Sequence, residues 1–213
     1  MAKPTLIEEL IQALRCLPGV GPRSAQRLAF HLLERDRAGG RRLATALAAA
    51  MEGVRRCSGC RTLSETEQCA LCADPRRDGG KICVVESPAD VLSMERATAY
   101  DGRYFVLHGR LSPLDGVRPV DLGLDVLERR LGEGRLGVAG TAGTGKAGGI
   151  EEVIVATGGT LEGAATAHYI ADLARTAGCR VTRLAQGIPM GGDLEQLDAA
   201  TLAQAMAGRR EIP

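Results

Sequence analysis

From residue 80 onward the chain alternates between short apolar runs and amphipathic segments, and this alternation restricts the fold more than any other feature. Strands are predicted at "KICVVE", "YFVLHG", "EEVIVAT" and "CRVTRLA". Helices are predicted between them at "SPADVLSMERA", "RPVDLGLDVLERRL" and "TLEGAATAHYIADLARTAG". Strands that alternate with helices form mostly parallel sheets covered by helices. The sequence therefore predicts an α/β domain over residues 80–185.

The segment that follows, residues 186–213, contains the glycine-rich stretch "GIPMGGDLEQLD" and a last predicted helix, "DAATLAQAMAG". Gly187, Pro189, Gly191 and Gly192 predict a constrained turn. This turn could cover an edge of the sheet or contact another subunit.

The first 55 residues have a different pattern, with apolar side chains at helical spacing throughout. One helix is predicted from Thr5, whose side chain and Glu8 form a capping box. After the turn "LPGVGP", a second helix is predicted to bury Ala25, Leu28, Ala29, Leu32 and Leu33 and to end at "RAGGRR". A third is predicted over about Leu43 to Val54. Residues 1–55 thus form a small helical module with a helix-hairpin-helix arrangement.

Between these regions the stretch "CSGCRTLSETEQCALC" places two Cys-x-x-Cys pairs within sixteen residues. Cys57, Cys60, Cys69 and Cys72 can close a tetrahedron around one Zn²⁺ ion and leave no position open for water. Residues 56–75 are therefore predicted to be a structural zinc finger. Four buried thiols or two disulfides are the alternatives. Cys16, Cys83 and Cys179 are predicted to be core thiols, and "ADPRRDGG" is predicted to be a linker.

The hairpin "LPGVGPRSAQRL" predicts a contact with a nucleic-acid backbone. Gly19, Val20 and Gly21 let the main chain approach a phosphate, and the first N–H groups of the next helix point outward as donors. Arg23 and Arg27 lie one turn apart on that helix. Such contacts recognise phosphate rather than bases, so binding should be independent of sequence and sensitive to salt. A plain turn between two helices is the alternative.

Charge and composition agree with this interpretation. Residues 1–56 hold ten Lys and Arg against five Asp and Glu, although the whole chain has a net charge of only +1. A basic head of this kind suits a polyanionic partner. Aromatic residues make up 2% of the chain, so base stacking is not expected to dominate binding. No signal peptide or membrane-spanning run is predicted, which favours a cytoplasmic protein.

The α/β region resembles a Toprim domain, the fold of topoisomerases, primases and some nucleases. That family binds Mg²⁺ with a Glu after the first strand and an Asp pair after a later one. Glu86 fits the first position, but Gly158 and Thr160 stand where the resemblance implies the two Asp. With Glu162 on the following helix, a hard cation would be held poorly. The domain is therefore predicted to be a scaffold without metal chemistry, and a Toprim-type nuclease or topoisomerase-like enzyme is the alternative.

A second short pattern, Gly140 to Lys146, matches the phosphate loop G-x-x-x-x-G-K. Ala147 removes the hydroxyl that would hold Mg²⁺, and the next predicted element is a strand rather than a helix. A glycine-rich insertion over residues 137–149 is the preferred interpretation. Nucleotide hydrolysis is the weaker one.

The order of these parts resembles that of the RecR family of bacterial recombination mediators. The resemblance covers nearly the whole chain, and the blocks "HGRLSPLDG" and "GIPMGGDLE" are the most specific to it. It implies a non-enzymatic protein that forms dimers and ring-like tetramers on single- and double-stranded DNA at the nucleoid. Its implied partners are RecO and RecF, with which it helps to load RecA on single-stranded gaps. It also implies that Glu86 and Glu162 line the surface that engages RecO.

Overall fold

A computed structural model describes residues 3–133, 149–185, 187–188 and 193–208, with only the backbone of Glu133 and Ala200. The chain divides into two compact units, Met1–Val54 and Arg55–Pro213. The phosphate-loop pattern Gly140–Lys146 and nearly all of the predicted insertion lie outside the described residues. So do Pro189, Gly191 and Gly192. Among the helices described, none has the length and apolar character needed to cross a membrane.

The first unit consists of three helices: α1 (Leu6–Leu14), α2 (Pro22–Glu34) and α3 (Arg37–Gly53). The predicted capping box is confirmed, since the Thr5 side chain accepts from the Glu8 N–H while the Glu8 carboxylate accepts from the Thr5 N–H. In α2, Ala25 and Ala29 are fully buried. Small side chains on this face allow α2 to approach its neighbours closely, and α2 packs against both α1 and α3.

The predicted end of the second helix at "RAGGRR" is wrong, because α3 begins there, at Arg37. The Asp36 carboxylate caps α3 by accepting from the Gly39 N–H at 2.7 Å. A Cβ atom on Gly39 would lie 2.0 Å from an Asp36 carboxylate oxygen. Gly39, one of the two glycines that suggested a break, therefore makes room for the cap. The interpretation of Cys16 as a core thiol is also wrong, since Cys16 is exposed after the end of α1.

The second unit opens with the cysteine-rich segment. Strands β1 (Arg55–Arg56) and β2 (Leu63–Ser64) form a short antiparallel pair, and α4 (Ala70–Ala73) follows. Next comes a four-stranded parallel sheet of β3 (Asp78–Val85), β4 (Gly102–Val106), β5 (Glu152–Ala156) and β6 (Arg180–Arg183) in the order β4-β3-β5-β6. Since β3 begins at Asp78, the predicted linker "ADPRRDGG" is shorter than expected, and a register shift separates Asp78 from Ile82.

Within the described part of this domain, three helices accompany the sheet: α5 (Pro88–Ala97), α6 (Leu124–Glu133) and α7 (Leu161–Thr176). The side chains of Ser87 and Thr160, which directly precede α5 and α7, cap these two helices. The predicted start of α6 at Arg118 is wrong, because residues 118–123 form turns and Gly123 has a φ of +70°. The main core is aliphatic apart from Phe105 and Cys179, with Leu107, Leu127, Val153 and Ile170 fully buried.

A short 3-10 helix (Leu194–Gln196) and α8 (Ala199–Ala207) form the described part of the C-terminal segment. The predicted fold class is confirmed. It combines a helical N-terminal module, a four-cysteine element, a parallel α/β domain and a C-terminal helix.

Candidate functional site

The four predicted ligand cysteines come together in the second unit. Their sulfur atoms all lie within 4.8 Å of one another, and Cys57 and Cys60 are 1% exposed. The Sγ atoms of Cys60 and Cys69 are 3.5 Å apart, well beyond a disulfide bond. A Cβ on Gly59 would lie 2.6 Å from the Cys72 sulfur, so the first Cys-x-x-Cys turn requires a glycine. The cluster can hold a metal ion through four sulfur ligands.

The surroundings shift the pKa values of these thiols in different directions. Burial opposes ionisation of Cys57, but N–H donors from the backbones of Cys69, Cys60 and Gly59 outweigh it and lower the pKa of that thiol to about 7. The hydrogen bond with the Cys72 side chain, together with burial, raises the pKa of Cys60. Burial also raises the pKa of Cys69 to about 11. A cation among the sulfurs would be needed to hold all four as thiolates at neutral pH.

The turn of the first cysteine pair is also hydrogen-bonded to the α/β domain. The Val106 N–H at the end of β4 donates to the Cys60 carbonyl at 2.9 Å. The His108 Nε2 atom lies 2.6 Å from the Arg61 carbonyl oxygen. Arg130 of α6 donates to the Ser58 carbonyl at 2.6 Å. These contacts attach the metal-binding turn to the carboxyl end of β4 and to α6.

Arg61 lies at the centre of this attachment. Its guanidinium donates to the Leu122 carbonyl and covers the ring of the buried Phe105, 5.2 Å from the ring centroid. A Cβ on Gly123 would lie 2.0 Å from that guanidinium. A larger residue at position 123 would therefore force the Arg61 guanidinium to move.

Glu86 follows β3, at the edge where the carboxyl ends of the parallel strands meet. Its Oε1 accepts from the Gly158 N–H at 2.8 Å, and its Oε2 lies 3.8 Å from an Arg110 nitrogen. The charge of Glu86 is thus compensated by a backbone donor and a guanidinium of the same chain. A Cβ on Gly163 would lie 2.3 Å from the Gly158 carbonyl oxygen, so the loop that donates to Glu86 packs tightly against α7.

Glu162 lies in the first turn of α7, near the same edge. Its own backbone N–H and the Thr160 hydroxyl lower the pKa of its carboxyl, and the charge of Arg110 adds to the effect. Thr160, at the second position where a Toprim domain would carry Asp, caps α7 by accepting from the Gly163 N–H. In the part of the chain that is described, no group of three His, Cys, Asp or Glu side chains suited to a metal is found at this edge.

The predicted phosphate-contact residues lie together at the start of α2. Gly19 has a φ of +79°, and Gly21 precedes Pro22, the first residue of the helix. A Cβ atom on either glycine would meet nothing within 4 Å, so their backbone faces open space. Val20, between the two glycines, is half-buried. Arg23 and Arg27 are exposed and line one concave face of α2.

The sequence interpretation assigned no structural role to three side chains that organise these sites: Arg61, His108 and Arg110. His108 and Gly109 have φ values of +63° and +148°, and with Arg110 they line the concavity beside Glu86. A signal was present, since a His-Gly-Arg triplet at the end of a predicted strand lies at the ligand-binding edge of a parallel sheet. Nothing in the sequence indicated the contact from His108 to Arg61, because 47 residues separate them.

Together, these features define the class of protein to which the chain belongs. The chain joins a helix-hairpin-helix module to a Toprim-type domain that has only the first of its three acidic positions, and it carries a four-cysteine cluster between them. Comparison with known proteins agrees: family models described as "RecR, helix-hairpin-helix", "Toprim domain" and "RecR, C-terminal" match residues 7–51, 80–185 and 187–210.

The chain belongs to the RecR family. It is 54% identical over 210 residues to the recombination protein RecR of Alcanivorax borkumensis, covering 99% of this chain and 98% of the relative. It is 53% identical over 212 residues to that of Methylococcus capsulatus, with both chains fully covered. It is 54% identical over 208 residues to that of Xanthomonas campestris pv. campestris, with 98% of each chain covered.

Proposed function

We propose that the chain is a DNA-binding recombination mediator in recombinational repair. It acts with RecO and RecF to help load RecA on single-stranded gaps in DNA at the bacterial nucleoid. The observation that carries this proposal is the turn at the start of α2, where Gly19 and Gly21 face open space beside Arg23 and Arg27. The family relationship over the full chain supports it.

DNA would be bound through its phosphates. The first N–H groups of α2 have no carbonyl partner within the helix, and Pro22 at its start fixes the direction in which they point. Val20 completes the turn between the two glycines, and Arg23 and Arg27 add positive charge on one face of α2. Since none of these groups recognises a base edge, single- and double-stranded DNA of any sequence should bind.

We assign the RecO contact to the edge around Glu86 and Glu162. Both carboxylates lie where ligands bind to open parallel sheets, beyond the carboxyl ends of the strands. Leu161, which begins α7, is 84% exposed beside Glu162. An exposed apolar side chain next to acidic groups suits a basic protein partner with an apolar contact of its own.

We propose that Zn²⁺ is the ion in the cysteine cluster, one per chain. Four closely spaced thiolates without an open position fit a structural zinc site. Such an ion would hold the turn that contacts Val106, His108 and Arg130, so its role would be to stabilise this part of the second unit.

Self-association is proposed for the first unit and for the C-terminal segment. Leu43, Leu47 and Met51 follow one another at intervals of four along α3 and are 53%, 56% and 72% exposed. A row of large apolar side chains left in water is typical of an interface.

We also propose four domains, residues 1–55, 56–75, 80–185 and 186–213. The break between the units after Val54 supports the first boundary.

We propose that the protein has no catalytic activity of its own. Mg²⁺ chemistry needs several oxygen ligands, whereas Glu86 is engaged by Gly158 and Arg110, and residues 158 and 160 offer no carboxylate. Glu86-dependent cleavage or relaxation of DNA by the purified protein with Mg²⁺ would instead support a Toprim-type enzyme.

The DNA site can be tested by charge reversal with a matched control. Arg23→Glu with Arg27→Glu should weaken binding to all DNA sequences and reduce the salt dependence of binding. Arg41→Glu with Arg42→Glu makes the same change in net charge elsewhere in the first unit, on exposed positions of α3. If both pairs weaken binding equally, net charge rather than the proposed site is responsible.

A further inference from the structure

One of the two phenylalanines of the chain lies on the solvent side of α2. Phe105 is fully buried in the core of the second unit, whereas Phe30 is 38% exposed. The buried face of α2 is formed around Ala25 and Ala29. By helical spacing Phe30 lies on a different side of α2 from these two alanines, and more than a third of its side chain is open to solvent.

The neighbours of Phe30 are mainly cationic. Arg23, Arg27 and Phe30 follow at intervals of four and three residues, which places them in one row on the helix surface. The same concavity is completed by Gln26, His31, Glu34 and Arg35. Three guanidinium groups and one carboxylate give this face a positive balance, which suits an anionic polymer.

We propose that Phe30 is a stacking platform for a base of single-stranded DNA whose phosphates are held by Arg23 and Arg27. This inference rests on the proposed function, since the arginines must first hold a nucleic-acid backbone. Along the helix axis, Arg27 lies about 6 Å from Arg23 and Phe30 about 4.5 Å beyond Arg27. A flexible single strand can therefore place phosphates on the arginines and turn an unpaired base onto the ring.

A duplex cannot use the ring in this way, because its bases are stacked and paired. The two arginines would thus bind any DNA, and Phe30 would add affinity for unpaired bases alone. Stacking of one base on an aromatic side chain strengthens single-strand binding by about 5- to 150-fold. Because aromatic residues are scarce in this chain, base stacking is restricted to one position on the helix, but it still contributes to binding.

The test compares three fluorescent DNA probes by anisotropy with the full chain: an oligothymidylate, an abasic strand of the same length and a duplex. Phe30→Leu keeps an apolar side chain but removes the aromatic face, and Phe30→Tyr retains it. We expect wild type and Phe30→Tyr to bind oligothymidylate at least about five-fold more tightly than the abasic strand. In Phe30→Leu that preference should disappear, with affinity for the abasic strand and the duplex unchanged.

Equal preference in wild type and Phe30→Leu would overturn the inference and leave the proposed function standing. A Phe30→Leu protein that loses affinity for all three probes in parallel, with a changed mass by light scattering, would show that Phe30 is a subunit contact instead. Failure of wild type to bind any probe would overturn this inference and the proposed function together.

Discussion

The imidazole of His108 and the backbone carbonyl of Arg61 are joined by a 2.6 Å hydrogen bond between the cysteine turn and the end of β4. A carbonyl oxygen only accepts, so the Nε2 atom of His108 carries the proton. Burial and the nearby charges of Arg56 and Arg61 lower the pKa of His108, which keeps the ring neutral at neutral pH. Both residues have left-handed backbones, with φ values of +66° for Arg61 and +63° for His108. This hydrogen bond thus joins two residues whose backbones are both strained.

At position 108, a glycine variant should be more stable than an alanine variant, which is the reverse of the usual order. Both variants lose the hydrogen bond, worth about 1 kcal/mol. Alanine keeps the left-handed strain, whereas glycine removes about 1 kcal/mol of it. We therefore expect His108→Ala to unfold in urea with a lower free energy than His108→Gly.

Glu128, exposed on α6, provides the control for this comparison. In a helix, glycine is less stable than alanine by about 1 kcal/mol, so Glu128→Gly should be the weaker of that pair. If glycine is also the weaker residue at position 108, the backbone strain there contributes nothing to stability.

Removal of one cysteine ligand should cost both the metal and much of the stability. We expect elemental analysis to find one Zn²⁺ per chain in wild type and none in Cys57→Ser. The free energy of unfolding should fall by more than about 4 kcal/mol, the range typical of a lost metal site. Cys16→Ser changes an exposed thiol and should alter neither quantity. A folded Cys57→Ser protein with full metal content would refute the site.

Metal affinity should decrease as the solution becomes more acidic. Without metal, the raised pKa of Cys60 and the pKa of about 11 for Cys69 keep both thiols protonated at neutral pH. Binding must therefore release protons, and lower pH opposes that release. The effect should steepen below pH 7, where Cys57, with a pKa of about 7, also gains a proton. Competition with a chelator between pH 6 and 8 measures this slope, and a flat profile would exclude thiolate ligands.

Gly163 should not tolerate a methyl group. A Cβ there would lie 2.3 Å from the Gly158 carbonyl oxygen and 3.3 Å from a Glu86 oxygen, so the loop that donates to Glu86 would have to move. We expect Gly163→Ala to lower the free energy of unfolding by about 1–3 kcal/mol and to weaken RecO binding. On α6, Gly132 has open space around it, and Gly132→Ala should be neutral or stabilising. Equal behaviour of the two variants would contradict this packing.

Local signals in the sequence predicted much of the fold. Thr5, Ser87 and Thr160 each precede a helix with a group able to cap it, and all three caps form. The spacing of the four cysteines sufficed to bring their sulfurs together, because the two pairs are only eight residues apart. Such features depend on residues that are close together in the sequence, so they can be predicted from the sequence alone.

The errors and omissions have a different origin. The start of α3 was missed because Gly39 resembles a break until the Asp36 carboxylate is placed against it. The contacts of Glu86 with Gly158 and of Arg61 with Leu122 join residues more than 60 positions apart, so they exist only after the sheet has formed. The arrangement at the carboxyl edge therefore follows from tertiary packing rather than from any local pattern.

The most direct test of the mediator function is the amount of fluorescent RecA bound to single-stranded DNA already coated by single-strand-binding protein. With RecO present, we expect wild type to increase RecA binding several-fold. We expect Arg23→Glu with Arg27→Glu to remove the increase, and Arg41→Glu with Arg42→Glu to retain it. RecA binding that is the same with and without the chain would contradict the account.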